Sequence, residues 1–205
     1  MKSLYLLLLA AAVTPAFAVT QAAKPGLSYD RVAVGYSSND SLKGYDLSAS
    51  ALIGNAIIVS GVYQDVTGKG VLTGASGRIT GFGLAYKFNV GPGDLAIGYQ
   101  YSQGQLGYST GFAIAEQKGF GINYRQAINE NFEFSIGYAR LSTALGALTV
   151  VGGNVYGSVA SETDNVFNVA ARVNFNKNLN AQISYAFQNK NAGSNTLGIS
   201  LGYNF

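Results

Sequence analysis

The residues best suited to chemistry in this chain are charged side chains set among small polar ones. Five of them, Arg31, Lys87, Arg125, Glu133 and Arg172, fall near the same end of alternating segments, on the side that carries glycine, alanine, serine and asparagine. Four cations around one carboxylate support two interpretations. They can form an ion-pair network around Glu133 that rigidifies the interior, or a positively biased constriction, because rings of basic side chains select against cations.

The absence of particular residue types from the sequence argues against catalysis. The chain contains no His and no Cys, whereas general acid–base catalysis near neutral pH most often uses His. Asp46 and Glu133 are predicted at opposite ends of the interior, too far apart for a catalytic carboxylate pair. The acidic residues do not cluster as a calcium site. We therefore expect a protein that is not an enzyme and has no cofactor or metal.

The segments that carry these charged side chains are predicted to be β-strands, because apolar residues recur in them at every second position. In the last ten residues, Leu197, Ile199, Leu201, Tyr203 and Phe205 alternate with small polar residues. Nine further segments share this period, and most are close to the roughly 9 to 11 residues that a tilted transmembrane strand needs. The predicted strands are residues 27–37, 44–53, 56–66, 78–88, 94–102, 118–126, 132–141, 165–175, 179–188 and 196–205.

The connections between these segments alternate in length. Short connections, at residues 54–55, 89–93, 127–131 and 176–178, follow the even-numbered strands, and longer Gly-, Ser- and Thr-rich ones follow the odd-numbered strands. Outer-membrane barrels have short periplasmic turns and longer outer loops. The sequence therefore predicts an all-β fold: a single antiparallel up-and-down transmembrane β-barrel over residues 27–205, with ten strands, or eight as the alternative.

Composition separates a membrane barrel from a soluble one. In a soluble lipocalin-like barrel the polar face would meet water and would carry many charged residues. Here charged residues are 11% of the chain, against about 25% in soluble domains. The net charge of +3 gives no basis for nucleic-acid binding. We therefore expect hydrocarbon against the apolar face and a narrow or crowded lumen behind the other.

The N-terminus has the features of a secretory signal peptide. A positive start at Lys2 precedes an apolar run and Pro15, and Ala16-Phe17-Ala18 forms a small-x-small cleavage site. The apolar run is shorter than the roughly 20 residues needed to span a bilayer as a helix. We predict cleavage after Ala18, export, and a short periplasmic segment at residues 19–26; a retained anchor is the alternative.

The signal peptide, the Gly- and Tyr-rich strands and the terminal L-G-I-S-L-G-Y-N-F resemble the small outer-membrane β-barrel proteins of Gram-negative bacteria. This group includes the OmpA-like transmembrane domain and the opacity or attachment porins. The resemblance covers essentially the whole mature chain. It implies an outer-membrane location, with lipid and lipopolysaccharide as surroundings, and recognition of the C-terminal strand by the barrel assembly machinery. Tyr203 and Phe205 stand at the matching positions of that signal, downstream of Leu197, Ile199 and Leu201.

Two connections contain residues that could contact a ligand or partner outside the cell. The connection at residues 142–164 has apolar runs on either side of Gly152-Gly153-Asn154, a pattern typical of a β-hairpin tip, and is predicted to extend strands seven and eight. Tyr156 in this hairpin, and Tyr108 and Phe112 in a predicted loop at residues 104–115, are the candidate contacts. The predicted function is a structural or surface-interaction protein with at most a narrow pore; the alternative is a small anion-leaning porin.

Overall fold

The computed structural model describes residues 28–152, 154–188 and 195–205, and in them ten antiparallel strands close into a barrel. This confirms the predicted fold and strand count, and the eight-stranded alternative is wrong. The strands are β1 (Arg31–Ser38), β2 (Leu42–Ile53), β3 (Ile57–Gly68), β4 (Ser76–Val90), β5 (Gly93–Tyr108), β6 (Gly111–Ala127), β7 (Phe132–Val151), β8 (Asn154–Asn174), β9 (Leu179–Gln188) and β10 (Thr196–Asn204).

The barrel closes because β1 pairs with both β2 and β10. Val34 lies opposite Leu47 on one side and opposite Leu201 on the other. Each strand of the wall therefore has a neighbour on both sides, as a bilayer requires, since hydrocarbon offers no partner to backbone N–H and C=O groups.

The outer wall of the barrel is apolar. Val34, Phe120 and Leu201 are 59%, 68% and 61% exposed, and they belong to a band of exposed aliphatic and aromatic side chains that covers every strand. Aromatic rings pair across strands within this band, as between Phe82 and Tyr101. Apolar surface of this extent marks contact with lipid rather than water.

The two ends of the barrel differ in their connections. At one end, here called the short-turn end, β2–β3, β4–β5, β6–β7 and β8–β9 are joined by two to four residues. In outer-membrane barrels this end faces the periplasm. The opposite end, here called the hairpin end, carries the outer extensions of β3 to β8 and a short 3₁₀ turn at Gly70–Leu72.

The prediction of a loop at residues 104–115 is wrong. β5 continues to Tyr108 and β6 starts at Gly111, so only two residues form the turn. The period of two persists here with small side chains on the inner face, where Leu106, Ala113 and Ala115 are buried. The extension of strands seven and eight is confirmed, since β7 and β8 remain paired as far as Val151 and Asn154.

The first strand also differs from its prediction. β1 begins at Arg31, and residues 28–30 turn across the opening of the barrel instead of continuing the strand. The predicted signal peptide with Ala16 and Ala18, the segment at residues 19–26, Leu27 and residues 189–194 lie outside the described residues.

Inside the barrel, apolar residues form small clusters at separate heights rather than one core. At the hairpin end, Leu42, Val66, Ile79 and Leu106 pack together beside a second cluster of Ala113, Ala115, Leu145 and Ala147, and the ring of Tyr108 touches both. At the short-turn end, Tyr29 packs on Ile58, Ala85 and Ala96. A fourth cluster, Ala139, Leu141, Val166 and Ala186, lies between these levels. Most of the buried charged residues lie toward the short-turn end, near the level of Tyr29.

Candidate functional site: the charged lumen

Glu133 is the centre of an ion-pair network on three adjacent strands. Its Oε2 accepts a hydrogen bond from Arg125 Nε at 2.8 Å and another from Arg125 Nη2, and its Oε1 accepts one from Asn174 Nδ2 at 2.8 Å. Arg172, directly opposite Glu133 in the β7–β8 pairing, places Nη1 3.6 Å from the same Oε2. The carboxylate and both guanidinium groups are buried in the lumen.

Arg31 and Arg172 also donate hydrogen bonds to neutral groups. Arg31 Nε donates to Asn180 Oδ1 at 3.1 Å and its Nη2 donates to Ser200 Oγ at 3.3 Å. Arg172 donates to Gln182 Oε1 from Nε and Nη2, at 3.2 and 2.9 Å. Gly202 makes room for Arg31, because a Cβ at that position would overlap the guanidinium group. Within the described residues, no carboxylate lies within 4.0 Å of Arg31.

Lys87 belongs to a second pair with a residue that the sequence analysis missed. Its Nζ lies 3.7 Å from Asp94 Oδ1, and both side chains are buried. Asp94 has the same strand parity as the inward-facing Ala96 and Gly98, so the alternation of β5 already contained the signal that would have placed it in the lumen. The five predicted residues therefore all lie in the lumen, but Asp94 adds a second carboxylate at this end.

The N-terminal residues 28–30 close the short-turn end. The Tyr29 hydroxyl donates to Asp94 Oδ2 at 3.4 Å, and Arg125, on the far side of the barrel from β1, donates to Ser28 O at 3.3 Å. Asp30 Oδ1 accepts from the backbone N–H of Leu52 at 3.0 Å. The segment is thus attached to several walls of the barrel and spans its opening.

Tyr29 is the most deeply buried part of this segment, at 1% exposure. It precedes β1, and burial together with the Asp94 carboxylate raises the pKa of its phenol far above the usual range. The hydroxyl therefore stays protonated and keeps donating to Asp94 at every physiological pH.

A cavity of about 110 Å³ lies inside the barrel, next to the Glu133 network. Arg31, Arg125, Arg172 and Glu133 border it on one side, and Asp46 borders it on the strand next to β1. Its remaining wall is uncharged and mixes apolar residues with polar ones; the polar residues include Ser48, Ser50, Asn123, Asn168, Ser184 and Ser200. A volume of this size is enough for one small ion or a few water molecules.

The candidate contacts of the hairpin end differ in exposure. Tyr108 points inward, and its hydroxyl donates to Leu148 O at 3.2 Å and lies 3.0 Å from Thr149 Oγ1, so it joins β5 to β7. Phe112 is half-buried on β6. Tyr156 is 58% exposed, near the tip of the β7–β8 hairpin. All three lie around the same part of β7, because Phe112 is paired with Leu148 and Tyr156 with Thr149.

The residues of the predicted assembly signal share one surface. Leu197, Ile199, Leu201, Tyr203 and Phe205 are all exposed on the outer wall, on the strand that closes the barrel. The backbone N–H of Phe205 donates to Asp30 O at 3.1 Å, which holds the last residue beside the start of β1.

The described residues contain no group of three or more acidic side chains that could hold a metal ion. Within the same residues, no helix is long and apolar enough to cross a bilayer.

Comparisons with known proteins returned structures only. No protein-family model and no curated protein match the chain. A KdgM porin matches over 85% of this chain and 99% of its own, at 11% identity and a TM-score of 0.47. The translocator domain of the autotransporter NalP from Neisseria meningitidis matches over 85% and 86%, at 13% identity and a TM-score of 0.43. Ail of Yersinia pestis matches over 85% and 94%, at 14% identity and a TM-score of 0.35.

The class of the protein follows from its own architecture. Ten strands pair in a closed ring, their outer faces carry a continuous apolar band, and their inner faces carry buried ion pairs. These are the properties of barrels that are wetted by lipid outside and filled inside. The chain is an outer-membrane β-barrel protein.

Proposed function

We propose that this protein has a structural or surface-interaction role in the outer membrane and forms at most a narrow pore. The observation that carries the proposal is the obstruction of the lumen by residues 28–30 and the Glu133 network. Tyr29 fills the opening at the short-turn end, and the ion pairs lie directly above it. An open diffusion pore requires a continuous water path, and the small ten-stranded interior offers little space for one.

The hairpin end supports the surface-interaction part of the proposal. Three apolar side chains on β8 are exposed between the hairpin tip and the part of the strand that pairs with β9. They are Val155, Tyr156 and Val159, with exposures of 67%, 58% and 88%. Residues 154–162 of β8 pair with β7 on one side, and within the described residues the β8–β9 pairing begins at Val166. A strand edge with available backbone groups can bind an extended segment of another protein.

We further propose that the role involves no catalysis, consistent with a chain that contains no His and no Cys. The proposed surroundings are outer-membrane lipid and lipopolysaccharide, and the proposed assembly route is recognition of the C-terminal strand by the barrel assembly machinery. Deleting Phe205 tests the latter: the variant should accumulate unassembled in the periplasm.

Planar-bilayer recording of the refolded protein tests the main proposal. We expect no stable single-channel steps from the full chain, and none after deletion of residues 147–158, since that hairpin lies above the obstruction. Steady conductance steps from the full chain would overturn the proposal.

The alternative is a small anion-leaning porin, and the excess of lumen cations favours it. Arg31, Lys87, Arg125 and Arg172 face two carboxylates at the short-turn end, Asp94 and Glu133. A pore of this kind would give steps whose reversal potential shows anion preference under a salt gradient.

A further inference from the structure

We propose that the lumen binds a small oxyanion, a phosphate or carboxylate group, in the cavity between Arg31 and Arg172. The proposal does not depend on whether the barrel conducts, because it concerns a site inside the wall.

The first argument is the balance of buried charge around the cavity. Arg31, Arg125 and Arg172 are 3%, 3% and 5% exposed, whereas Glu133 is the only carboxylate that hydrogen-bonds any of them among the described residues. A buried charge without a hydrogen-bonded counter-charge is costly. If Asp46 is included, the cavity is bordered by three cationic and two anionic side chains. The cations are Arg31, Arg125 and Arg172, and the carboxylates are Asp46 and Glu133. An anion from solution would supply the missing charge.

The second argument is the supply of unused donors. Arg172 Nη1 has no hydrogen-bond partner within the described residues, although its whole side chain is buried. Both amide atoms of Asn123, which is 3% exposed, also lack partners there. Both residues line the cavity together with Arg31. Buried polar atoms in native proteins are nearly always satisfied. Two of these atoms, Arg172 Nη1 and Asn123 Nδ2, are donors, and Arg172 Nη1 lies 3.6 Å from Glu133 Oε2, too far for a hydrogen bond. Both therefore indicate an occupant with acceptor atoms.

The chemistry of the donors selects the class of anion. A guanidinium group is a planar fork whose N–H groups match the oxygen atoms of a carboxylate or phosphate. The hydroxyl group of Ser200 on the same wall accepts a hydrogen bond from Arg31 and can donate its own proton to the ion. A cavity of about 110 Å³ accommodates one such small ion. A halide could accept several N–H groups, but it has no pair of separate oxygen atoms to match the parallel N–H groups of a guanidinium fork, so an oxyanion is favoured.

The test uses the full mature chain refolded in detergent micelles, with titration calorimetry and urea unfolding as readouts. The probes are inorganic phosphate and acetate, each compared with chloride at equal ionic strength. We expect saturable one-to-one binding of at least one oxyanion and a higher urea midpoint in its presence than in chloride. Binding of phosphate alone would assign the site to phosphate, and binding of acetate alone would assign it to carboxylates.

Variants locate the site. Arg31→Gln is expected to weaken the binding at least about tenfold, the effect of losing one or two charged hydrogen bonds, and Asn123→Ala should weaken it as well. Arg78→Gln is the matched control, because Arg78 is an exposed arginine outside the lumen that pairs with Asp65. Phosphate stabilises most proteins non-specifically, so the difference between variants is the decisive quantity.

The proposal is overturned if neither oxyanion binds, or if Arg31→Gln binds as tightly as Arg78→Gln. If Arg31→Gln does not fold, the Asn123→Ala variant tests the site by itself. This substitution removes no charge and so is less disruptive to folding. An unchanged oxyanion affinity in Asn123→Ala would refute the site.

Discussion

Replacing Glu133 by glutamine should be among the most destabilising single changes in the lumen. The substitution keeps the shape of the side chain and removes its charge. It also places an amide N–H group where the carboxylate oxygen accepts two hydrogen bonds from Arg125. Arg125 and Arg172 would then be buried without a hydrogen-bonded carboxylate, and their positive charges would repel each other across the gap.

The size of the effect follows from the burial of the pair. The Glu133 and Arg125 side chains are 2% and 3% exposed, and breaking a buried ion pair from one side costs about 3 to 5 kcal/mol. For a urea slope of about 2 kcal/mol/M, the unfolding midpoint should fall by about 1.5 to 2.5 M.

The chain contains no Trp, so the unfolding of Glu133→Gln is best followed by far-ultraviolet circular dichroism in micelles or vesicles. Glu116→Gln is the matched control. Glu116 forms an ion pair of 2.9 Å with Lys118, but both side chains are largely exposed, and exposed pairs contribute about 0 to 1 kcal/mol. If the two variants lose the same stability, the reasoning is refuted and the Glu133 network is as weak as a surface pair.

Three further changes test other parts of the structure. Tyr29→Ala should cost about 3 to 5 kcal/mol of stability, because it removes a buried ring that packs on Ile58, Ala85 and Ala96. Gly98→Ala should prevent or slow refolding, since a Cβ there would overlap Ala85 and the carbonyl oxygen of Leu84. Leu84→Arg, on the outer wall, should cost about 2 to 4 kcal/mol in vesicles and much less if that face met water.

Each of these changes has a control within the chain. Tyr45→Ala removes an exposed ring and should cost much less stability; an equal loss in both tyrosine variants would contradict the packing assigned to Tyr29. Gly61→Ala should refold normally, because its Cβ would meet nothing closer than 3.8 Å. For Leu84→Arg, an unaltered unfolding midpoint would show that lipid does not wet this part of the wall.

The fold was predictable because one physical requirement acts on every strand. A face that meets hydrocarbon must be apolar at each second residue, so β9 and β10 could be located almost to the residue. Beyond the bilayer this requirement ends, and the outer part of β5 and β6, where glycine and glutamine replace leucine and phenylalanine, resembled a loop. Backbone pairing and small inner side chains extend the strands there.

The lumen charges were predictable, but their partners were not. Parity along a strand places Arg125 and Glu133 inside the barrel, whereas the choice of partner depends on registers that span several strands. The attachment of Tyr29 to Asp94 joins residues 65 positions apart. No local pattern marks such a contact. Ser28 and Asp30 place polar residues at the parity of Val32 and Val34, so the alternation of β1 already ends there in the sequence.

β8 contains 21 residues, whereas about 10 are enough to cross the bilayer. At about 3.3 Å per residue and a tilt near 40°, the remainder lifts the tip of the β7–β8 hairpin roughly 25 Å above the hydrocarbon. The tip is a tight turn in which Gly152 has a φ of 59°, far from the ion pairs of the lumen. An epitope inserted after Gly152 would be displayed to antibodies on intact bacteria, which makes this barrel a scaffold for presenting peptides at the cell surface.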